Sequence, residues 1–361
     1  MSESIQANGN IEEIYAGTLA KSSALSSSNL KKVVSPEFPD DTFILGSAID
    51  YVASASEWVA GSYGQLNQGG NNSSVSPAAL PGLFTINEDG DQVRFSKGNL
   101  RCYINESGEP TADPSNSPNT TGWAFADNQY DYIGNIAPNN DPLCGTAGWI
   151  DSFCWSTDSG TKAWGINNSL NYSDYSGDFV DWGTNQIYNG TSMDPANTWY
   201  TLSIDNYYHL INTRDAVTVH GIANARCARG TVASKKGLIL FPDAWVAGSE
   251  LSEAMQDKVG TAIINNSGSG DFTSAVITSD EWDDFEAAGC VFLFAAGQRH
   301  ISEYYPPSFL YLGEYVQYWT STPGSDYDYW AHRLYCSVAA ITYFDMPCCT
   351  GYAVRLVQNV E

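Results

Sequence analysis

Apolar positions along this chain fall into short runs, mostly of strand length, separated by long polar stretches. Residues 83–86 and 92–95 flank the acidic turn Asn87-Glu88-Asp89-Gly90-Asp91, which predicts a hairpin. Further strands are predicted at 99–104, 236–242 (KGLILFP), 291–296 and 353–357 (AVRLV), and aromatics crowd residues 123–132. Two segments carry helical spacing. Residues 203–213 start on a Ser203 cap and would bury Ile204, Tyr207, Tyr208 and Ile211. Residues 278–289 (TSDEWDDFEAAG) offer Ser279 as cap, turn Trp282 and Phe285 inward and stop at Gly289. Between the strands, residues 134–199 read as loop, with Trp149, Trp155, Trp164 and Trp182 spaced through them. Two helices with scattered antiparallel strands and long loops predict an α+β fold class.

Residues 1–82 read differently. Residues 11–32 have sparse apolar positions at Leu19, Leu25 and Leu30 that allow a helix, and 42–62 form a second amphipathic stretch. Residues 61–81, rich in Gly, Gln, Asn and Ser, read as a linker. No tandem repeat of fixed period stands out. An arm this small with apolar faces predicts packing against copies of itself or another protein. The expected division is an attachment and oligomerisation arm at 1–82 and a ligand-binding domain at 83–361.

Charge narrows the partners. The 361 residues carry 41 acidic and 16 basic side chains, a net charge of -25, which repels phosphate backbones and anionic membranes alike. Nucleic-acid binding and membrane insertion are therefore not expected. The longest apolar run, CVFLFAA at 290–296, is far short of the ~20 residues of a spanning helix. Residues 1–10 lack the basic and apolar regions of a secretory signal. The expectation is synthesis in a host cytoplasm and release as part of a particle. The eight cysteines include no CxxC pair, and adjacent Cys348 and Cys349 are poorly placed to bridge each other.

Several segments carry a resemblance: VRFSKGNL (93–100), FADNQYDYIG (125–134), GWIDSFCWST (148–157), DWGTN (181–185), NTR (212–214) and GLILFPD (237–243). To these add EAAGCVFLFAAGQR (286–299), YWTSTP (318–323) and GYAVRLV (351–357). Together they resemble the C-type-lectin-fold, formylglycine-generating-enzyme-like variable proteins of diversity-generating retroelements, found in gut bacteria and phages. The likeness covers roughly residues 83–358. It implies a C-type-lectin-like scaffold presenting a ligand face, with a retroelement rewriting adenine-containing codons between the AAG-x-R segment and the closing VRLV strand. Here that stretch is 298–352.

Its composition agrees. Residues 299–352 hold 10 of the 22 tyrosines, with Cys336, Cys348 and Cys349, and neither period 2 nor period 3.6 organises them. Tyr and Trp supply large amphipathic contact area for few rotatable bonds, as in a paratope. Trp319, Ser321, Thr322, Pro323 and Gly324 match the scaffold part of the pattern. By position, the residues expected on the displayed, variable surface are His300, Tyr304, Tyr305, Phe309, Tyr311, Tyr315, Gln317, Asp326, Tyr327, Asp328, His332, Arg333, Tyr335, Tyr343, Asp345, Cys348 and Cys349. The bland alternative is an aromatic core.

The resemblance implies a receptor-binding adhesin at a phage tail tip, a homotrimer mounted on other virion components through 1–82, recognising a host-surface protein or glycan. A bacterial surface-displayed binder is the alternative, and a formylglycine-generating oxidase the second. The oxidase's paired cysteines are not recognisable, and no HExxH, GxSxG or P-loop occurs, so no enzyme is expected. No cofactor is expected either. The acidic loops 127–131 and 174–181 have oxygen donors for a structural Ca2+, although solvated loop acids are the commoner case.

Overall fold

The computed structural model describes residues 75–360, except 117, 159–162, 167–168 and 265–266, together with six strands within 1–74. The chain divides into two units, Met1–Ser74 and Val75–Val360.

In the first unit the six strands are Gln6–Asn8, Glu13–Tyr15, Ala24–Ser26, Lys32–Ser35, Phe43–Leu45 and Tyr51–Ser54. They form two three-stranded parallel ladders, each strand lying beside the one 18 or 19 residues further on. The strands therefore recur with a spacing of 18 or 19 residues. This corrects two expectations: the strands at 13–15 and 24–26 replace a helix over 11–32, and the unit does have a period. Ile14, Val33 and Val52 occupy one register, as branched residues suited to a ladder. The rest of the period is too degenerate in Ser, Ala and Asn to stand out. Of the linker expected at 61–81, residues 61–74 lie outside the described residues, and 75–81 correct the expectation, since Ala78 and Leu80 are buried in the core of the second unit and Ser76 hydrogen-bonds Gln358 and Asp194.

The second unit is mostly β. Its twenty strands and three short helices make it 12% helical, so the α+β, C-type-lectin-like expectation of two helices among scattered strands is corrected to a β-rich class. The helices are α1 (Ile204–Asn212), α2 (Glu253–Gly260) and α3 (Ser279–Ala287). α1 starts on Ser203, in a reciprocal capping box with Asn206. It buries Tyr207, Leu210 and Ile211, whereas Tyr208, expected inside, is half exposed. The cap of α3 is Thr278, one residue before the expected Ser279, because its partner Glu281 stands at the third helical position. α2 has few apolar positions and buries only Val259 and Gly260, so little in its pattern announces a helix.

Four larger sheets and a two-stranded one, Gln298–His300 with Ser308–Leu310, build the rest. The strands Phe84–Thr85, Gln92–Phe95, Leu356–Asn359 and Tyr200–Thr201 form one sheet, which ties the end of the unit to its beginning. A five-stranded sheet orders Gly148–Ile150, Leu100–Ile104, Trp123–Phe125, Ile187–Tyr188 and Met193–Asp194. A third pairs Ile263–Ile264, Cys227–Val232, Lys235–Leu240 and Val291–Phe294, with Val276–Ile277 parallel to Cys227–Val232. The fourth centres on the long hairpin of Val316–Pro323 and Trp330–Cys336, flanked by Ile341–Thr342 and Asp345–Pro347. This hairpin answers the missing periodicity of 299–352: the register shifts between Trp319 and Pro323, and both faces of Val316–Thr320 are buried, so apolar and polar positions do not alternate.

The segments that carry the resemblance meet inside as a polar frame. Gln129 Oε1 accepts from the Phe292 N–H and from Arg355, both at 2.7 Å, while its amide donates to Glu286 at 2.8 Å. Asn99 Oδ1 accepts from the Tyr318 hydroxyl at 3.1 Å and from Arg355 at 3.3 Å. Asp151 accepts from the Ile133 N–H and the Asn139 amide, each at 2.7 Å. Groups buried this deeply are costly unless paired, so the network pins the strands in one arrangement.

Candidate functional site

Residues 300–350 form one excursion pinned at its base. The Arg299 N–H donates to the Gly351 carbonyl at 2.8 Å, and the Gly351 N–H donates back at 3.0 Å. One step further in, Phe153 and Tyr352 exchange both backbone bonds at 2.9 Å. The Arg299 guanidinium is fully buried, donating to the Ser152 carbonyl at 2.9 Å and to Cys154 Sγ at 3.3 Å. The Trp319 indole N–H donates to the Phe153 carbonyl at 2.7 Å, which anchors the hairpin to the same seam. A Cβ on Gly351 would stand 2.7 Å from both Arg299 Cβ and Ser152 Oγ. Gly351→Val is therefore expected to cost about 1–3 kcal/mol through overpacking. Denaturant titration checks the stability, and limited proteolysis checks whether cleavage rises within 300–350.

Of the residues expected on display, Tyr304, Tyr305, Tyr311, Asp326, Tyr327 and Asp328 are exposed, with Tyr304 at 84% and Tyr305 at 73%. His300, Phe309, Tyr315, His332, Tyr335, Tyr343, Asp345 and Cys349 are half-buried. Gln317, Arg333 and Cys348 are buried, which corrects their expected display. Gln317 and Arg333 hydrogen-bond each other, and the Arg333 guanidinium lies over the Tyr335 and Tyr352 rings at 4.7 and 5.1 Å. Cys348 packs with Trp155, Trp319 and Tyr352 in the hydrophobic core. Cys336 is likewise a core residue, packed in the same cluster as Cys227.

Two groups of rings are in contact here. Tyr311 stacks on Tyr315 at 4.5 Å, and Tyr315 meets Tyr335 edge-on at 5.1 Å. The neighbouring Tyr335, Tyr311 and Glu314 raise the Tyr315 phenol above its ordinary value, which keeps it a neutral donor. Tyr311 holds a left-handed backbone, φ 58°, a strained conformation for a non-glycine residue. The second group runs Tyr172, Tyr329, Tyr327 and Trp330, with centroids 4.6, 5.3 and 5.5 Å apart in succession. Tyr172 comes from the 134–199 region, and Phe344 is 62% exposed; neither was expected at the site. Its place within the aromatic-rich stretch 299–352 was a signal for Phe344. Nothing in the sequence pointed to Tyr172, which arrives by tertiary contact.

The rings and hydroxyls gathered here offer contact area and hydrogen bonding. Burial and the neighbouring Cys154 push the Cys349 thiol up to about 12, and burial raises Cys348 further. Thiols held protonated are poor nucleophiles. Among the described residues no group of three or more His, Cys, Asp or Glu is arranged to hold a metal ion. In the acidic loops, Asp181 already accepts from Gly183, Thr201 N–H and the Thr201 hydroxyl, and Asp131 accepts from Asn128. No protein-family model, curated protein or solved structure matches the chain.

Proposed function

We propose that this chain is a receptor-binding adhesin whose 300–350 excursion is the contact surface, diversified by a retroelement and carried at a phage tail tip. The observation that carries the reading is the separation of roles along one stretch. Its base, Arg299 with Gly351, and its hairpin residues Val316, Tyr318 and Trp319 are locked into the core, while Tyr304, Tyr305, Tyr327 and Phe344 face solvent. Exposed aromatics of this density cost solubility unless something covers them. Held on a rigid frame, they offer hot-spot contact area at small entropic cost. The ligand is then a host-surface protein or glycan, and several copies on one particle turn weak contacts into avidity.

Deep sequencing of the gene across a population grown from one clone tests the reading. The expected result is substitutions concentrated in codons for exposed residues such as Tyr304, Tyr305 and Tyr327, with those for Arg299, Trp319 and Gly351 unchanged, and a near-copy of the stretch beside a reverse-transcriptase gene. A stretch as constant as the rest of the gene, with no such copy, would falsify the diversified reading.

A further inference from the structure

A second concave surface lies outside residues 298–352, on the outer face of the five-stranded sheet. The strand Leu100–Ile104 alternates, with Leu100, Cys102 and Ile104 buried and Arg101 and Tyr103 turned outward. Register places Ala124 opposite Arg101 on one side and beside Tyr188 on the other, and places Trp149 opposite Tyr103. Strands stand about 4.8 Å apart, so Arg101 and Tyr188 flank a gap of roughly 10 Å floored by a single methyl group. The resulting groove has a volume of about 370 Å3 and is closed at its sides by Lys97, Trp149 and Asn116. That falls within the ~300–1,000 Å3 typical of small-ligand clefts.

The groups lining it are incompletely paired. Lys97 and Arg101 are two of only 16 basic residues in the chain. Each faces an acid at 3.7 Å, Asp127 and Asp131 respectively. That is longer than the ~2.7–2.9 Å of a direct charge-assisted hydrogen bond. Arg101 Nε is shielded from solvent and has no hydrogen-bond partner. The buried Asp113 carboxylate gives one oxygen to the Ser115 N–H and hydroxyl, at 2.9 and 2.7 Å. Cations and carboxylates are thus interleaved, so a charged ligand gains little net attraction here. Hydroxyl groups, each both donor and acceptor, can satisfy both kinds of neighbour at once. Trp149, set edge-to-face on Tyr103 at 5.5 Å, adds an apolar wall with a fixed orientation.

We propose that this groove is a saccharide-binding subsite for a neutral hexopyranose, separate from the aromatic surface at 300–350. Its floor at Ala124 sets the width, Trp149 and Tyr188 supply the apolar faces, and Lys97, Arg101, Asp113 and Asn116 hydrogen-bond the hydroxyls.

Saturation-transfer-difference NMR on the full chain tests it, with the methyl glycosides of glucose, galactose, mannose and N-acetylglucosamine as probes, and N-acetylneuraminic acid and inorganic sulfate as charged comparators. Transfer to at least one neutral glycoside is expected. Ala124→Ile, which fills the floor, and the surface pair Lys97→Met with Arg101→Met should each weaken it by about tenfold or more, a loss of roughly one to two hydrogen bonds. The double variant keeps the test valid if Ala124→Ile fails to fold. Tyr304→Ala with Tyr305→Ala should leave the signal intact. Absence of transfer to any neutral glycoside, binding of the charged comparators alone, retention in the groove variants, or loss in the tyrosine variant would each overturn the assignment. The last outcome alone would place the sugar on the aromatic surface instead.

Discussion

Raising the pH above about 10 is expected to unfold residues 75–360 cooperatively. Burial raises the Cys336 thiol to about 11 and the Cys227 thiol to about 12, from 9.0. It raises the Tyr318 and Tyr352 phenols to about 12, from 10.0. In each case the folded chain keeps a proton that the unfolded chain releases. Stability contributed by these groups is therefore whole below about pH 9 and drains away as pH rises towards the folded values. The thiols weaken the fold from about pH 9 and the phenols from about pH 10, so all four act together between about pH 10 and 11, at about 5 kcal/mol per unit. Against a typical total of about 5–15 kcal/mol, the fold should be lost within roughly two pH units. Thermal melts by circular dichroism between about pH 8 and pH 12, with reductant present, provide the check. Melting temperatures that stay flat to the top of that range would mean these thiols and phenols ionise as easily inside as outside.

The second large effect is expected at Arg214 and Asp243. Arg214 has no exposed side-chain surface, and Asp243 meets it at 2.8 Å. The guanidinium also donates to the Leu210 carbonyl at 2.9 Å and lies 5.1 Å over the Phe84 ring. The other Asp243 oxygen collects the Thr85 N–H and hydroxyl at 2.7 Å and the Gln92 amide at 3.0 Å. One carboxylate thus joins the end of α1, the first hairpin and the strand Lys235–Leu240. Asp243→Ala would strand a buried cation, at a cost of about 3–5 kcal/mol, or roughly 10 °C in Tm. Arg214→Met leaves no buried charge uncompensated on the guanidinium side and should cost less. A double-mutant cycle separates the pair from its surroundings. A loss under about 1 kcal/mol for Asp243→Ala would show that the pair does not hold these elements together.

Much of the local structure was legible in the sequence. The hairpin at 84–95, the strands near 100, 238, 292 and 356, and the two capped helices follow from alternation, capping residues and Gly289, because each depends on neighbours only a few residues away. Of the aromatic excess between 299 and 352, the adjacent Tyr304 and Tyr305 are both exposed, while Tyr318, Trp319 and Tyr352 are core residues that composition alone does not separate from them.

Four things were decided only by tertiary structure. The fold class went to β because tertiary pairing found partners for strands of two or three residues, too short to register as a pattern. The ladder at 6–54 depends on pairing across 18 or 19 residues, which a degenerate repeat conceals. Gln317 and Arg333 satisfy each other across a hairpin, so two polar side chains expected on the surface are buried instead. The groove over Ala124 exists because register sets one small residue between two long ones on neighbouring strands. The sequence by itself determined the short-range elements and the crowding of aromatics into 299–352. The layers, the buried partners and the second concavity belong to the tertiary structure, because each depends on residues far apart in the chain meeting at hydrogen-bond or van der Waals distance.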